Sequence, residues 1–164
     1  MKNHQKRKKK RLKSNFFFFL WYNEVIMIEE LKKYKKRKTS YLITEDNGIY
    51  ILTNDFGEYY LIGGGKIKNE SSMQCLLREC MEETGFSLSN VKEFAKIKSC
   101  EHNRVHGDIE YDSVIYTGNL DKKEQQPIEN EYLIKAPIEK AIKLMTQKIH
   151  REALIMYERR NRNG

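Results

Sequence analysis

Gly64-Gly65-Lys66-Ile67-Lys68-Asn69-Glu70-Ser71-Ser72-Met73-Gln74-Cys75-Leu76-Leu77-Arg78-Glu79-Cys80-Met81-Glu82-Glu83-Thr84-Gly85-Phe86 is the stretch whose reading decides this chain. It opens on glycines, which let a backbone approach a ligand closely. Asn69, Ser71 and Ser72 are candidate caps for a helix start, and Gly85 suits the left-handed position just past a helix end. At about 100° per residue, Glu82 lies near −60° and Glu83 near +40° of Glu79, so three carboxylates share an arc of roughly 100°. Met73, Leu76, Leu77, Cys80 and Met81 form the adjacent stripe, predicted to face the core.

Like charges three and four residues apart repel and cost helix stability. A helix that keeps three of them together needs a compensating cation, and a cluster of hard oxygen donors favours Mg²⁺ or Mn²⁺ over zinc. Glu82-Glu83 alone would describe an ordinary solvated acidic face. The whole spacing, from Gly64 through Glu70, Arg78, Glu79, Glu82 and Glu83 to Gly85, is far more specific.

Matched at Gly64, Glu70, Arg78, Glu79, Cys80, Glu82, Glu83, Gly85 and Phe86, the stretch resembles the Nudix box, G-x5-E-x7-R-E-U-x-E-E-x-G-U with U apolar. Ile62 stands where a proline usually precedes the glycines, and Asn69 where a glycine usually precedes the first glutamate. Asn tolerates positive φ, so the turn survives. The resemblance implies a Nudix-like α/β (α+β) fold, an α/β/α sandwich with a mixed central sheet. It implies a metal-dependent pyrophosphohydrolase that cleaves a nucleoside diphosphate linked to another moiety. Divalent cations neutralise phosphoryl oxygens and lower the pKa of water, the usual solution for attack on a diphosphate.

The resemblance also implies roles for residues of this sequence. Glu79, Glu82 and Glu83, with the Gly63 carbonyl, are the expected metal ligands. Arg78 is expected to orient the carboxylates by charge-assisted hydrogen bonds. Gly64, Gly65 and Glu70 are expected at the substrate, Glu70 in a supporting place. A general base is often a glutamate outside the box. Glu124, Glu129 and Glu131 are the candidates, Glu129 is the choice, and Glu101, Asp108, Glu110 and Asp112 are less favoured. Tyr59, Tyr60, Tyr111 and Tyr116 are either strand packing or a stacking surface for a base. The box handles only the shared diphosphate. ADP-ribose or another nucleotide sugar, a damaged nucleoside triphosphate, a dinucleoside polyphosphate and a triphosphorylated RNA 5′ end are all compatible with it. The alternative in another class is a non-catalytic domain that senses a nucleotide. The partner implied is a nucleotide-type small molecule, and a homodimer is compatible with the sequence.

Outside the box, alternating apolar runs predict strands at 40–44, 49–52, 59–62, 91–98, 109–116 and 131–135, with turns at Asp46-Asn47-Gly48 and Asn54-Asp55-Phe56-Gly57. Residues 122–130 read as polar and turn-like. Helices are expected at 138–145 and 149–160. This order fits a mixed sheet between helices. The expected domain spans 39–160, with tails at 1–38 and 161–164.

The formal charge is +8, unevenly placed. Residues 1–26 hold eight Lys or Arg and one acid, which leaves 23 of the 31 basic residues against 22 of the 23 acidic ones. The basic character thus belongs to the tail and not to a substrate pocket. The run Phe16 to Tyr22 is too short to span a bilayer, and no small-residue cleavage site follows it. No transmembrane segment and no DNA-binding motif are visible. A basic and aromatic tail suits an anionic membrane or RNA, or a segment outside the domain. The run Lys32 to Lys38 reads as a solvated helix face or a lead-in. Cys75, Cys80 and Cys100 form no framework, which points to a reducing, cytoplasmic setting. His102 and His106 offer a zinc pair or, more simply, a strand-linking loop. Met27 is an alternative start, because Glu24-Val25-Ile26 can be encoded by a purine-rich stretch like a bacterial ribosome-binding site. Mass spectrometry that finds residues 1–26 intact in the native host would exclude that start.

Overall fold

A computed structural model describes residues 34–103, 107–128 and 132–163. The chain divides into two compact units, Met1–Lys35 and Lys36–Gly164, and both sheets and the three described helices belong to the second. The strands are β1 (Lys35–Ile43), β2 (Glu45–Asp46), β3 (Ile49–Asp55), β4 (Glu58–Tyr60), β5 (Ile62–Gly65), β6 (Phe86–Asn103), β7 (Gly107–Lys123) and β8 (Tyr132–Pro137). The helices are α1 (Ser72–Thr84), α2 (Ile138–Leu144) and α3 (Lys148–Asn163). One sheet runs β5-β1-β7-β6. In the other, β3 carries β8 along its length and pairs with β2 and β4 at its two ends.

Alternation along β1 sends Leu42 to one face and Tyr41 and Ile43 to the other. Leu42 packs with Ile62, Leu76, Cys80 and Tyr116, beneath α1. Tyr41 and Ile43 pack with Leu52, Leu61, Ile115, Met145 and Leu154, from the second sheet and from α2 and α3. The first sheet is therefore a middle layer, buried on both faces, and the architecture is the expected α/β sandwich. Each fully buried Leu or Ile contributes roughly 1.5–3 kcal/mol. Among the described residues no helix is long and apolar enough to cross a membrane.

Several elements depart from the sequence pattern. β1 begins at Lys35, inside the basic run and ahead of Thr39, where the β5 ladder ends opposite Gly65; β7 is its other neighbour in the sheet. The segment 59–62 is two strands, since β4 pairs with β3 whereas β5 pairs with β1. β6 and β7 are much longer than their apolar cores. Their antiparallel ladder runs from Phe86 opposite Lys123 to Asn103 opposite Gly107, so pairing recruits polar residues that propensity would leave as loop. Lys122 and Lys123 thus belong to β7. Register shifts absorb Asn90, whose φ is +54°, as a bulge. α3 continues to Asn163, past the expected end. On α1, Leu77 is exposed and Cys75 is buried, so the packed stripe is rotated toward the carboxylates.

α3 starts on a long-range cap. The amides of Lys148 and Ile149 donate to the Glu101 carboxylate at 3.1 and 3.0 Å, which suits the positive end of the helix. Close by, His150 is wholly buried between the edges of Tyr41 and Tyr60. Leu61 N–H donates to its Nδ1 at 3.2 Å, so the neutral ring carries its proton on Nε2. Burial pushes its pKa down to about 3 from 6.5. The unfolded chain therefore binds a proton that the native state refuses, and stability is lost as pH falls from about 6.5 toward 3. The expected slope approaches about 1.4 kcal/mol per pH unit. His150→Asn, which keeps an acceptor for Leu61 N–H, should flatten the dependence of urea midpoint on pH in that window.

Candidate active site

Ser71 starts α1 as a capping box. Gln74 N–H donates to Ser71 Oγ at 3.1 Å, and Ser71 N–H donates to Gln74 Oε1 at 2.8 Å. Asn69, just before it, takes φ +71°, the conformation that the sequence anticipates. Gly85 ends the helix at φ +74°, and a Cβ there would stand 2.1 Å from Gln125 O. α1 is thereby delimited at both ends and lies against the glycine strand β5.

Arg78 is the centre of the arrangement. Its Nε and Nη2 donate to the two Glu70 oxygens at 3.2 and 2.9 Å, and Nη2 also donates to Gly65 O at 3.0 Å. Nη1 lies 2.9 Å from both Glu82 Oε2 and Glu79 Oε1. Three carboxylates and one carbonyl thus converge on a single guanidinium. Part of the cation that the acidic face demands is supplied from within the helix. Glu70 also accepts from Ile67 N–H at 2.8 Å, which closes the turn ahead of α1. The Arg78 hydrogen bonds hold Glu70 down to about 2, and Glu70 in turn pushes the Arg78 guanidinium up.

The carboxylates sit in different surroundings. Glu83 is buried, and its Oε2 accepts from Gly63 N–H at 3.0 Å. Glu79 lies against the strand: a Cβ on Gly64 would stand 2.7 Å from its carboxylate carbon, so only glycine lets it approach. Glu82 is more exposed than Glu79 or Glu83. Cys75, whose place beside the site the sequence did not reveal, packs with Sγ 3.5 Å from Gly64 O. Burial pushes its thiol up to about 11, which makes it packing and not a nucleophile.

The donor set fits a hard divalent cation, since Glu79, Glu82 and Glu83 offer carboxylate oxygens beside the glycine strand. Among the described residues no three acidic, His or Cys side chains yet converge as ligands do. Arg78 holds Glu79 and Glu82, and Gly63 N–H holds Glu83.

Glu129 and Glu131 lie outside the described residues, as does His106. The chain leading to Glu129 is anchored to α1, however. Glu124 N–H and Gln125 N–H donate to Gly85 O at 2.8 and 3.2 Å, and Ile128 N–H donates to Glu82 O at 2.8 Å. Three of the less favoured acids are otherwise engaged. Glu101 caps α3, Asp108 pairs with His102 at 2.7 Å, and Glu110 faces Lys36 at 4.0 Å. Tyr111 and Tyr116 are core residues, and Tyr60 packs on His150.

A family model described as the NUDIX domain matches residues 35–155. Solved structures with the same fold include a NUDIX hydrolase from Nitrosomonas europaea, with TM-score 0.63, 16% identity, and coverage of 76% of this chain and 89% of that one. An Ap4A hydrolase from C. elegans aligns with TM-score 0.60 and 13% identity over 79% of this chain and 98% of that one. The MutT protein from Bacillus halodurans aligns with TM-score 0.57 and 17% identity over 72% of this chain and 79% of that one. At such identities the likeness is one of fold. No curated protein matches.

Because Glu70 is depressed, its contribution is present above about 4.5 and is lost as pH falls toward about 2. Arg78→Gln should therefore lower the urea midpoint at pH 7, and the gap from the parent should close across that acidic window. A gap that stays constant from pH 7 to pH 2 would show that Arg78 acts through packing alone.

Proposed function

The chain belongs to the NUDIX family of pyrophosphohydrolases, and from that premise we propose that it cleaves the diphosphate of a nucleoside diphosphate linked to another moiety, with Mg²⁺ or Mn²⁺. The observation that carries this reading is the cluster of Glu70, Glu79 and Glu82 on Arg78, folded against Gly64 and Gly65. Glu79, Glu82, Glu83 and the Gly63 carbonyl would hold the cation, which would neutralise phosphoryl charge and lower the pKa of water.

The chain's own residues supply the rest. Arg78 sets the orientation of Glu79 and Glu82 and ties them to the strand that meets the diphosphate. Glu70 holds Arg78 in turn, and so acts at one remove from substrate. Gly64 and Gly65 let the phosphoryl group come close to backbone. Glu129 is our assignment for the general base. The bond from Ile128 N–H to Glu82 O supports it, because it tethers the preceding residue to the carboxylate helix. The free cysteines Cys75, Cys80 and Cys100 suit a cytoplasmic enzyme.

Turnover coupled to phosphate release, with Mg²⁺, tests the reading. The panel is ADP-ribose, oxidised and normal deoxynucleoside triphosphates, a diadenosine polyphosphate and a 5′-triphosphate RNA. The diadenosine compound is included because one structural neighbour is an Ap4A hydrolase. One preferred substrate is expected, with activity lost in EDTA. Glu82→Gln and Glu83→Gln should each remove most turnover, on the order of a hundredfold or more, with the fold intact. Near-normal activity in both refutes the metal assignment. Glu129→Gln should slow kcat without weakening metal binding. Silence across the panel with a nucleotide still bound would instead make the protein a sensor.

A further inference from the structure

The carboxylate cluster and its helix leave Arg37 unused. Alternation along β1 puts it on the face of Thr39 and Tyr41, away from α1. Thr39 stands opposite Gly65 in the ladder, and Arg37 folds back over that glycine. A Cβ on Gly65 would stand 2.8 Å from Arg37 Nη2, 2.9 Å from Nε and 3.2 Å from Cζ. Arg78 Nη2 reaches the carbonyl of the same residue at 3.0 Å. One glycine at the centre of the site is therefore approached by two guanidinium groups.

Their situations are opposite. Arg78 is committed to Glu70, Glu79 and Glu82 and has little left to offer a ligand. Arg37 is exposed, and among the described residues it forms no ion pair or hydrogen bond, although its neighbour Lys36 faces Glu110. An exposed guanidinium with no partner among the described residues keeps its donors available to an anion. Its planar fork matches two phosphoryl oxygens.

We propose that Arg37 is a substrate-binding residue that takes phosphoryl oxygens of the diphosphate at Gly65, where the edge strand β5 leaves a ligand within reach of both faces of the sheet. The inference rests on the proposed cleavage of a diphosphate. It assigns to Gly65 a second duty besides close approach, that of leaving room for the Arg37 fork. The group at 65 and the group at 37 are then one device, and substitutions at the two positions should not add.

The test is calorimetric titration with α,β-methylene-ADP and Mg²⁺, a probe whose diphosphate the enzyme cannot cleave, with adenosine as the phosphate-free control. Arg37→Gln should weaken the probe roughly tenfold to a hundredfold and leave adenosine unchanged. Arg37→Lys should recover part of the loss. Gly65→Ala should reproduce the Arg37→Gln loss, and the double variant should be no weaker than either. On the preferred substrate, KM should rise more than kcat falls, and the urea midpoint of Arg37→Gln should match the parent. Unchanged probe affinity in Arg37→Gln, with the parent binding well, overturns the Arg37 assignment and leaves the hydrolase standing. A parent that binds neither the probe nor pyrophosphate overturns the diphosphate reading and the assignment with it.

Discussion

The convergence of Glu70, Glu79, Glu82 and the Gly65 carbonyl on Arg78 is the interaction on which the rest of the site depends. Without it, α1 would carry adjacent carboxylates on one arc with nothing to offset their repulsion. With it, the turn at Ile67 to Glu70, the body of the helix and the end of β5 become one unit. The guanidinium suits that task because its donors are planar and diverge in set directions, which an ammonium group cannot reproduce. Partial burial strengthens each bond and at the same time raises the cost of losing any partner.

Glycine strand and helix constrain each other. Gly63 sits at φ +127°, and a Cβ there would stand 2.1 Å from Ser40 O, so both the conformation and the space exclude other residues. At Gly64 the constraint is the Glu79 carboxylate itself. The carboxylates are thus placed by what the strand lacks as much as by what the helix presents. Packing completes the arrangement from below, where Leu76 and Cys80 press on Leu42 and Ile62.

The box was legible because its signals are local. Spacing along one helix determines which carboxylates share a face, and Asn69, Ser71 and Gly85 carry their own conformational preferences. The angular count misplaced Leu77 and overlooked Cys75, since it assumes that the packed stripe is opposed to the polar one, whereas β5 covers part of both. The ends of β6 and β7 were illegible for a different reason. Residues such as Ser87, Asn90, Lys122 and Lys123 have no strand signal of their own, and only cross-strand pairing makes them strand. The same holds for Lys35 to Lys38, which propensity and charge describe as a solvated lead-in. Glu101 reads as any acid in sequence, and its cap on α3 spans 47 positions.

These differences explain why the box is silent about the group beyond the diphosphate. Everything it encodes lies on α1, the turn before it and β5. The far face of β1 and the chain after β7, which docks on Gly85 and Glu82, lie beside these elements and outside the box. Both are joined to the box through backbone, one across the β1–β5 ladder and the other at the helix C-terminus. Backbone bonds constrain the path of the chain and leave the side chains along it free to differ. A fold of this kind can hold its carboxylate cluster constant while β1 and the loop after β7 change, and selectivity is therefore to be sought in those two segments and not in the carboxylates.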